Sequence, residues 1–176
     1  MTIRLARRWR TTLTHAPDSA PFRRWLLYRG SLTARIRAHG RFSLRVLRQT
    51  QALPTPDEAA ALAIDARKRV HVREVALYCD GRIVAFAHTV LPLQPRGALT
   101  RWLARLGARS LGSLLFTHPR FARGEMTFCR IDRRHPLFAP ATALVGTAQR
   151  TLWARRSDFV FAGQRVLVTE VFAPLG

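Results

Sequence analysis

Two charged residues stand where apolar side chains are expected. Arg73 lies inside VHVREVALY, on a strand face that continues through Val75, Leu77 and Cys79, and Glu170 lies inside VLVTEVFAP, among Val166, Leu167, Val168, Val171 and Phe172. A carboxylate taken out of water needs a compensating partner, and a buried guanidinium needs an anion or carbonyl oxygens. Two arrangements meet these needs. One is a structural ion pair of Arg73 with Glu170 or with another acid. The other is a closed polar pocket in a sheet, where one cation and one carboxylate face a small ligand. The chain has only ten acidic residues against thirty basic ones, so a carboxylate in an apolar strand is a notable use of a scarce residue.

Other reactive constellations are absent from the sequence. No glycine-rich phosphate loop follows a strand, no histidine pair has zinc spacing, and there is no G-x-S-x-G elbow. Cys79 and Cys129 lack metal-ligand spacing and read as free thiols. His88, inside a strand, reads as a packed histidine, and Trp9, Trp25, Trp102 and Trp153 as core or cover residues. No cofactor and no metal are expected.

The elements that must position Arg73 and Glu170 are legible in outline. PFRRWLLYRG reads as a short helix ending at Gly30, and SLTARIRAHG as a second, with Ser31 as N-cap and Gly40 beyond its end. RFSLRVLRQ alternates like a strand, with Phe42, Leu44 and Val46 on one face. Thr55, Pro56 and Glu58 form a capping-box signature with a proline start. RVHVREVALYC and RIVAFAHTVLPL flank Asp80-Gly81, the strongest short-range signal for a type I′ hairpin. Residues 98–116, interrupted near Gly107, read as two short helices or a helix–turn–helix-shaped cover, GEMTFCRID as a strand, and 133–146 as a long loop or flap. AQRTLWARRSDFVFAG and QRVLVTEVFAP form a second hairpin around Gly163. Strands that come in hairpins predict an α+β fold: one antiparallel sheet of about six strands, with helices gathered before and between them.

A chain of 176 residues fits one domain with a real core. We divide it into a basic N-terminal extension over 1–20 and a domain over 21–176. No apolar run approaches the ~18 residues that span a bilayer, and the N-terminus lacks the apolar core of a secretory signal, so a cytoplasmic monomer is expected. The formal net charge of +20 would suit a polyanion partner, but 29 of the 30 basic residues are Arg, spread along the chain without a DNA- or RNA-binding motif. The bias reads as compositional, and contact with nucleic acid should be non-specific and salt-sensitive.

REVALYCDGR, LGSLLFT and WARRSDFVFAGQRVLVTEVFAP, preceded by WLLYRGSLTARIRAHG, together resemble bacterial chorismate lyase (chorismate–pyruvate lyase), in order and spacing from about Trp25 to Pro174. The resemblance implies conversion of chorismate to 4-hydroxybenzoate and pyruvate, the first committed step of ubiquinone biosynthesis, without cofactor. It implies that Arg73 and Glu170 carry the site, binding substrate together with Leu111 of SLG and Leu32 of SLT, the last at a position where the family often has Met. It also implies helical flaps closing over an internal pocket, and the stretch 133–146 looks longer than the family's version. A non-catalytic metabolite-binding domain of the same fold, as in some bacterial regulators, is the rival reading.

Overall fold

Side chains alternate across each strand, so every strand of a sheet covered on both faces must be apolar twice over. The structure, a computed structural model, describes residues 9–146 and 149–174, and of Ser113, Leu114 and Thr117 the backbone alone. Part of the expected basic extension, residues 1–8, lies outside the described residues. The strands are β1 (Phe42–Ala52), β2 (Val70–Cys79), β3 (Arg82–Pro92), β4 (Ala122–Asp132), β5 (Thr151–Phe161) and β6 (Gln164–Phe172). They form one antiparallel sheet in the order β1-β2-β3-β6-β5-β4. Around it lie a 3-10 turn (Pro17–Phe22) and the helices α1 (Arg23–Leu26), α2 (Leu32–His39), α3 (Pro56–Leu62), α4 (Ala98–Ala104), α5 (Leu111–Thr117) and α6 (Phe138–Val145). The α+β architecture is the one the hairpins predict.

Both hairpins close in two-residue turns, the first at the Asp-Gly pair its sequence calls for. Asp80 and Gly81 have φ of 48° and 78°, and Ala162 and Gly163 have 48° and 76°, the positive pairs that match strand twist in a two-residue loop. The capping box also forms: Thr55 Oγ1 accepts from Glu58 N, and Glu58 Oε2 accepts from Thr55 N at 2.8 Å. Ser31 caps α2 by accepting from Ala34 N.

Three expectations need correction. PFRRWLLYRG is not one helix to Gly30: its first two residues end the 3-10 turn, and α1 stops at Leu26. Residues 133–146 are not a loop, because Phe138–Val145 is helical. Pro140 falls in the first turn, where a missing N–H costs nothing, and the alanines after it propagate the helix. Gly146, at φ 62°, then ends it. Gly40 follows α2 but is extended, with φ 167°. Its need for glycine is close approach: a Cβ there would collide with the Asp80 carboxylate, whose Oδ1 accepts from Arg41 N at 2.8 Å.

The two faces of the sheet carry different cores. On one, Val75, Leu77, Ala87, Trp153 and Phe172 pack under Trp25, Leu26, Leu32 and Ile36, while Phe159 and Val166 pack under Leu99, Leu103 and Leu115. On the reverse face, Val72, Val90 and Leu167 meet Leu62 of α3, and Phe86, Ile131 and Val171 meet Leu137 and Ala141. The reverse face also buries ion pairs. Asp57 Oδ2 accepts from Arg156 Nη1 at 2.9 Å and from Trp9 Nε1 at 3.0 Å. His88 stands between two carboxylates, with Nδ1 3.0 Å from Glu74 Oε1 and Nε2 3.0 Å from Glu58 Oε1.

That triad sets a pH window. Burial works against a charged His88, but the hydrogen bonds and charges of Glu58 and Glu74 outweigh it and lift its pKa from 6.5 to about 9. Burial likewise opposes the charge on Glu58, yet its bond to His88 keeps the carboxyl below its ordinary range. For Glu74 the same bond is the leading cause of a downward shift. A raised histidine contributes stability that is complete below pH 6.5 and lost as the pH climbs through about 9. The lowered carboxylates contribute above about pH 4.5 and fade as the pH falls. Chemical unfolding followed from pH 6 to pH 10 should show a loss on the order of 2–3 kcal/mol across the histidine's titration. His88→Gln should be less stable at pH 6 and lack that slope. A wild-type stability that holds level from pH 6.5 to 9.5 would show that the triad is not charged in this way.

Candidate active site

The sheet face under α2 and α5 holds a cavity. Leu32 and Thr33 of α2 close it from above, together with Ser110, Leu111, Gly112 and Leu115 at and within α5. Its floor is made by alternate residues of four strands: Arg73, Val75 and Leu77 of β2, Ala87 and Thr89 of β3, Val168 and Glu170 of β6, and Arg155, Ser157 and Phe159 of β5. The two lid helices are linked by a 2.6 Å hydrogen bond between the buried hydroxyls of Thr33 and Ser110. All four residues singled out in the sequence, Leu32, Arg73, Leu111 and Glu170, line this one cavity.

Arg73 and Glu170 do not pair with each other, which removes their ion pair as an explanation. Strand register explains the separation. Arg73 lies opposite Gln49 and Thr89, whereas Glu170 lies opposite Ala87 and Arg155. With β3 between them, the two are two strand spacings apart, roughly 10 Å, and are further offset along the strands. Arg73 instead donates from Nη1 to Gln49 Oε1 at 2.8 Å and from Nη2 to the Arg109 carbonyl at 3.0 Å. Among the described residues, no carboxylate lies within ion-pair distance of it. It is almost wholly buried, and burial draws its pKa below the ordinary arginine value.

The cation that meets Glu170 is Arg155, which the sequence reading passed over. Its Nε donates to Glu170 Oε2, and its Nη1 donates to the carbonyls of Tyr28 and, at 3.0 Å, Trp25. The Phe172 ring lies beneath its guanidinium, 5.4 Å from centroid to Cζ. A signal for this pairing existed. A two-residue turn at Ala162-Gly163 fixes the register of β5 and β6, and counting outward from it sets Arg155 opposite Glu170. Arg123 of β4, also passed over, is the third guanidinium on the cavity. Its Nε and Nη2 donate to Ser157 Oγ at 3.1 and 2.9 Å.

Fold and site together define an α+β domain built around one guanidinium-lined cavity under two helices. Solved structures share this fold at low identity. The C-terminal domain of the histidine utilization repressor from Pseudomonas syringae pv. tomato superposes with a TM-score of 0.55 at 11% identity, covering 76% of this chain and 92% of that one. The effector domain of PhnF from Mycobacterium smegmatis gives 0.55 at 19%, covering 84% and 90%. The chorismate lyase family model matches residues 8–175. A protein named probable chorismate pyruvate-lyase from Dechloromonas aromatica is 49% identical over 168 residues, 95% of this chain and 94% of its own length. One of the same name from Thiobacillus denitrificans is 44% identical over 153 residues, 86% of this chain and 82% of its own length. The chain belongs to the chorismate lyase family.

The Arg155 contact changes what removal of Glu170 should do. Glu170→Ala leaves a buried guanidinium facing an empty cavity and should cost about 3–5 kcal/mol of stability. Glu170→Gln retains an acceptor oxygen for Nε and should cost only about 1 kcal/mol. Urea denaturation of the two variants measures both. Equal stability of Glu170→Ala and wild type would show that Arg155 does not depend on Glu170.

Proposed function

We propose that the protein cleaves chorismate to 4-hydroxybenzoate and pyruvate, supplying 4-hydroxybenzoate to ubiquinone biosynthesis. The observation that carries this reading is that Arg73 and Glu170 face one cavity from β2 and β6, in a chain of the chorismate lyase family. Chorismate has a ring carboxylate and, at the opposite end of the ring, a hydroxyl. The neighbouring ring carbon bears an enolpyruvyl ether with a second carboxylate.

Arg73 takes the ring carboxylate. Two of its five N–H donors are used by Gln49 and Arg109, and the rest present the planar fork that suits a carboxylate. Glu170 accepts from the ring hydroxyl. Its own partner, Arg155, keeps it aimed. Leu32 and Leu111 each begin a helix, so their amides are not used within it and can donate to the ligand.

The reaction balances within the substrate. The hydrogen on the hydroxyl-bearing ring carbon moves to the enolpyruvyl methylene, the ring C–O ether bond breaks, and a carbonyl forms on the departing fragment. The ring gains its third double bond, and the methylene becomes the methyl group of pyruvate. The protein's part is to hold the side chain over that hydrogen, exclude water and stabilise charge on the separating fragments.

The test is incubation of purified protein with chorismate, with pyruvate and 4-hydroxybenzoate followed together. Equimolar release is expected. Arg73→Ala should lower kcat/KM by roughly ten- to a hundredfold, the range for loss of a charge-assisted bond, and Arg73→Lys should restore only part of it. Tight binding of 4-hydroxybenzoate with no pyruvate formed would instead identify a metabolite-binding domain.

A further inference from the structure

Glu170 and Arg155 balance each other, and Arg73 answers one carboxylate. The cavity still carries one guanidinium with no acidic partner, Arg123. It lies half-buried on β4, at the side where exposed Phe116 and buried Phe159 form the wall; its Cζ is 5.2 and 5.5 Å from their ring centroids. Its bonds go to neutral groups: the Ser157 hydroxyl, the Met126 sulfur at 3.3 Å and the Arg29 carbonyl. Among the described residues, no carboxylate lies within ion-pair distance of it. Burial and the neighbouring Arg155 oppose its charge, and Glu170 is near enough to favour it. A cation held in this way is short of an anion.

We infer that Arg123 binds the enolpyruvyl carboxylate of the substrate, an assignment that rests on the chorismate reading above. The ether is attached to the ring carbon next to the one bearing the hydroxyl. A substrate with its ring carboxylate on Arg73 and its hydroxyl on Glu170 therefore sends its side chain toward the neighbours of Glu170. Of the two guanidiniums there, Arg155 is already neutralised by Glu170 and committed to two carbonyls. Arg123 has no counter-charge: four of its five N–H groups meet the neutral acceptors Ser157, Met126 and Arg29, which fix its fork, and one on Nη1 remains for an incoming oxygen. After cleavage this carboxylate belongs to pyruvate, and 4-hydroxybenzoate has no group for Arg123. The residue thus separates substrate from retained product.

The experiment compares wild type, Arg123→Gln and Arg123→Lys, using chorismate turnover and calorimetric binding of two stable probes. One probe is 4-hydroxybenzoate, and the other is the same molecule with a carboxymethoxy group beside its hydroxyl. Arg123→Gln should lose roughly ten- to a hundredfold in kcat/KM and in affinity for the dicarboxylate. Its affinity for 4-hydroxybenzoate should stay within about twofold of wild type, which also reports an intact cavity. Arg123→Lys should recover part of the loss. Dicarboxylate affinity unchanged in Arg123→Gln, or lost in the same proportion as that for 4-hydroxybenzoate, overturns the assignment. If wild type releases no pyruvate, the reaction reading fails by itself, and the two probes still decide what Arg123 binds.

Discussion

The contact between Arg155 and Glu170 is the interaction on which the cavity depends. Carbonyls at the end of a helix have no partner within it, and those of Trp25 and Tyr28, at and just beyond the end of α1, are taken by Arg155. The chain then reaches Ser31, which caps α2, and α2 presents Leu32 and Thr33 to the cavity. Thr33 in turn holds Ser110, at the entrance to α5. A single guanidinium thus connects the floor carboxylate to the first lid helix, and one hydroxyl pair connects that helix to the second. Glu170 accordingly both lines the cavity and is the counter-charge of the residue that fixes the roof.

The sheet buries charge on both faces, in opposite ways. On the reverse face the charges balance inside the protein: Asp57 meets Arg156, His88 lies between Glu58 and Glu74, and Arg48 Nη1 is 3.9 Å from Glu74. On the cavity face three guanidiniums meet one carboxylate, a surplus of two positive charges. Like charges in a partly desolvated space repel, and only an incoming anion relieves them. The chorismate dianion supplies the matching charge. Its binding should therefore stabilise the folded chain by linkage, whereas the reverse face needs no ligand.

How much of this the sequence shows depends on whether the signal is local. The α+β class, the Asp80-Gly81 turn, the hairpin around Gly163, the capping box and the helix pair over 98–116 follow from nearest-neighbour chemistry, and all are present. Arg73 and Glu170 stand out because a charge in an apolar strand conflicts with its surroundings. Their partners are a matter of register. For Glu170 the register was countable from Ala162-Gly163. For β2 and β3 it was not, because a bulge between the turn and the core shifts the pairing by one residue at Leu77 and Tyr78. Counted from Asp80-Gly81 without the bulge, His88 would face Arg73; with it, His88 faces Glu74. No local pattern announces that bulge. Helix α6 was hidden for another reason: proline reads as a breaker unless its place in the first turn is known.

The predominance of arginine has a different meaning in the cavity from its meaning on the surface. At exposed positions a lysine would serve nearly as well, and 29 arginines among 30 basic residues need no structural reason there. Arg73, Arg123 and Arg155 line the cavity, and burial lowers the pKa of the first two below the ordinary arginine value. A guanidinium that starts so high stays charged at neutral pH, while a lysine, starting near 10.4 and more strongly hydrated, would have less margin to lose. Each of the three also bonds protein acceptors with part of its fork, as Arg155 does with two carbonyls and Glu170. An ammonium has three donors on one atom, and the fork has five spread over three. Only the fork lets one side chain hold a wall of the cavity in place and still face what enters it.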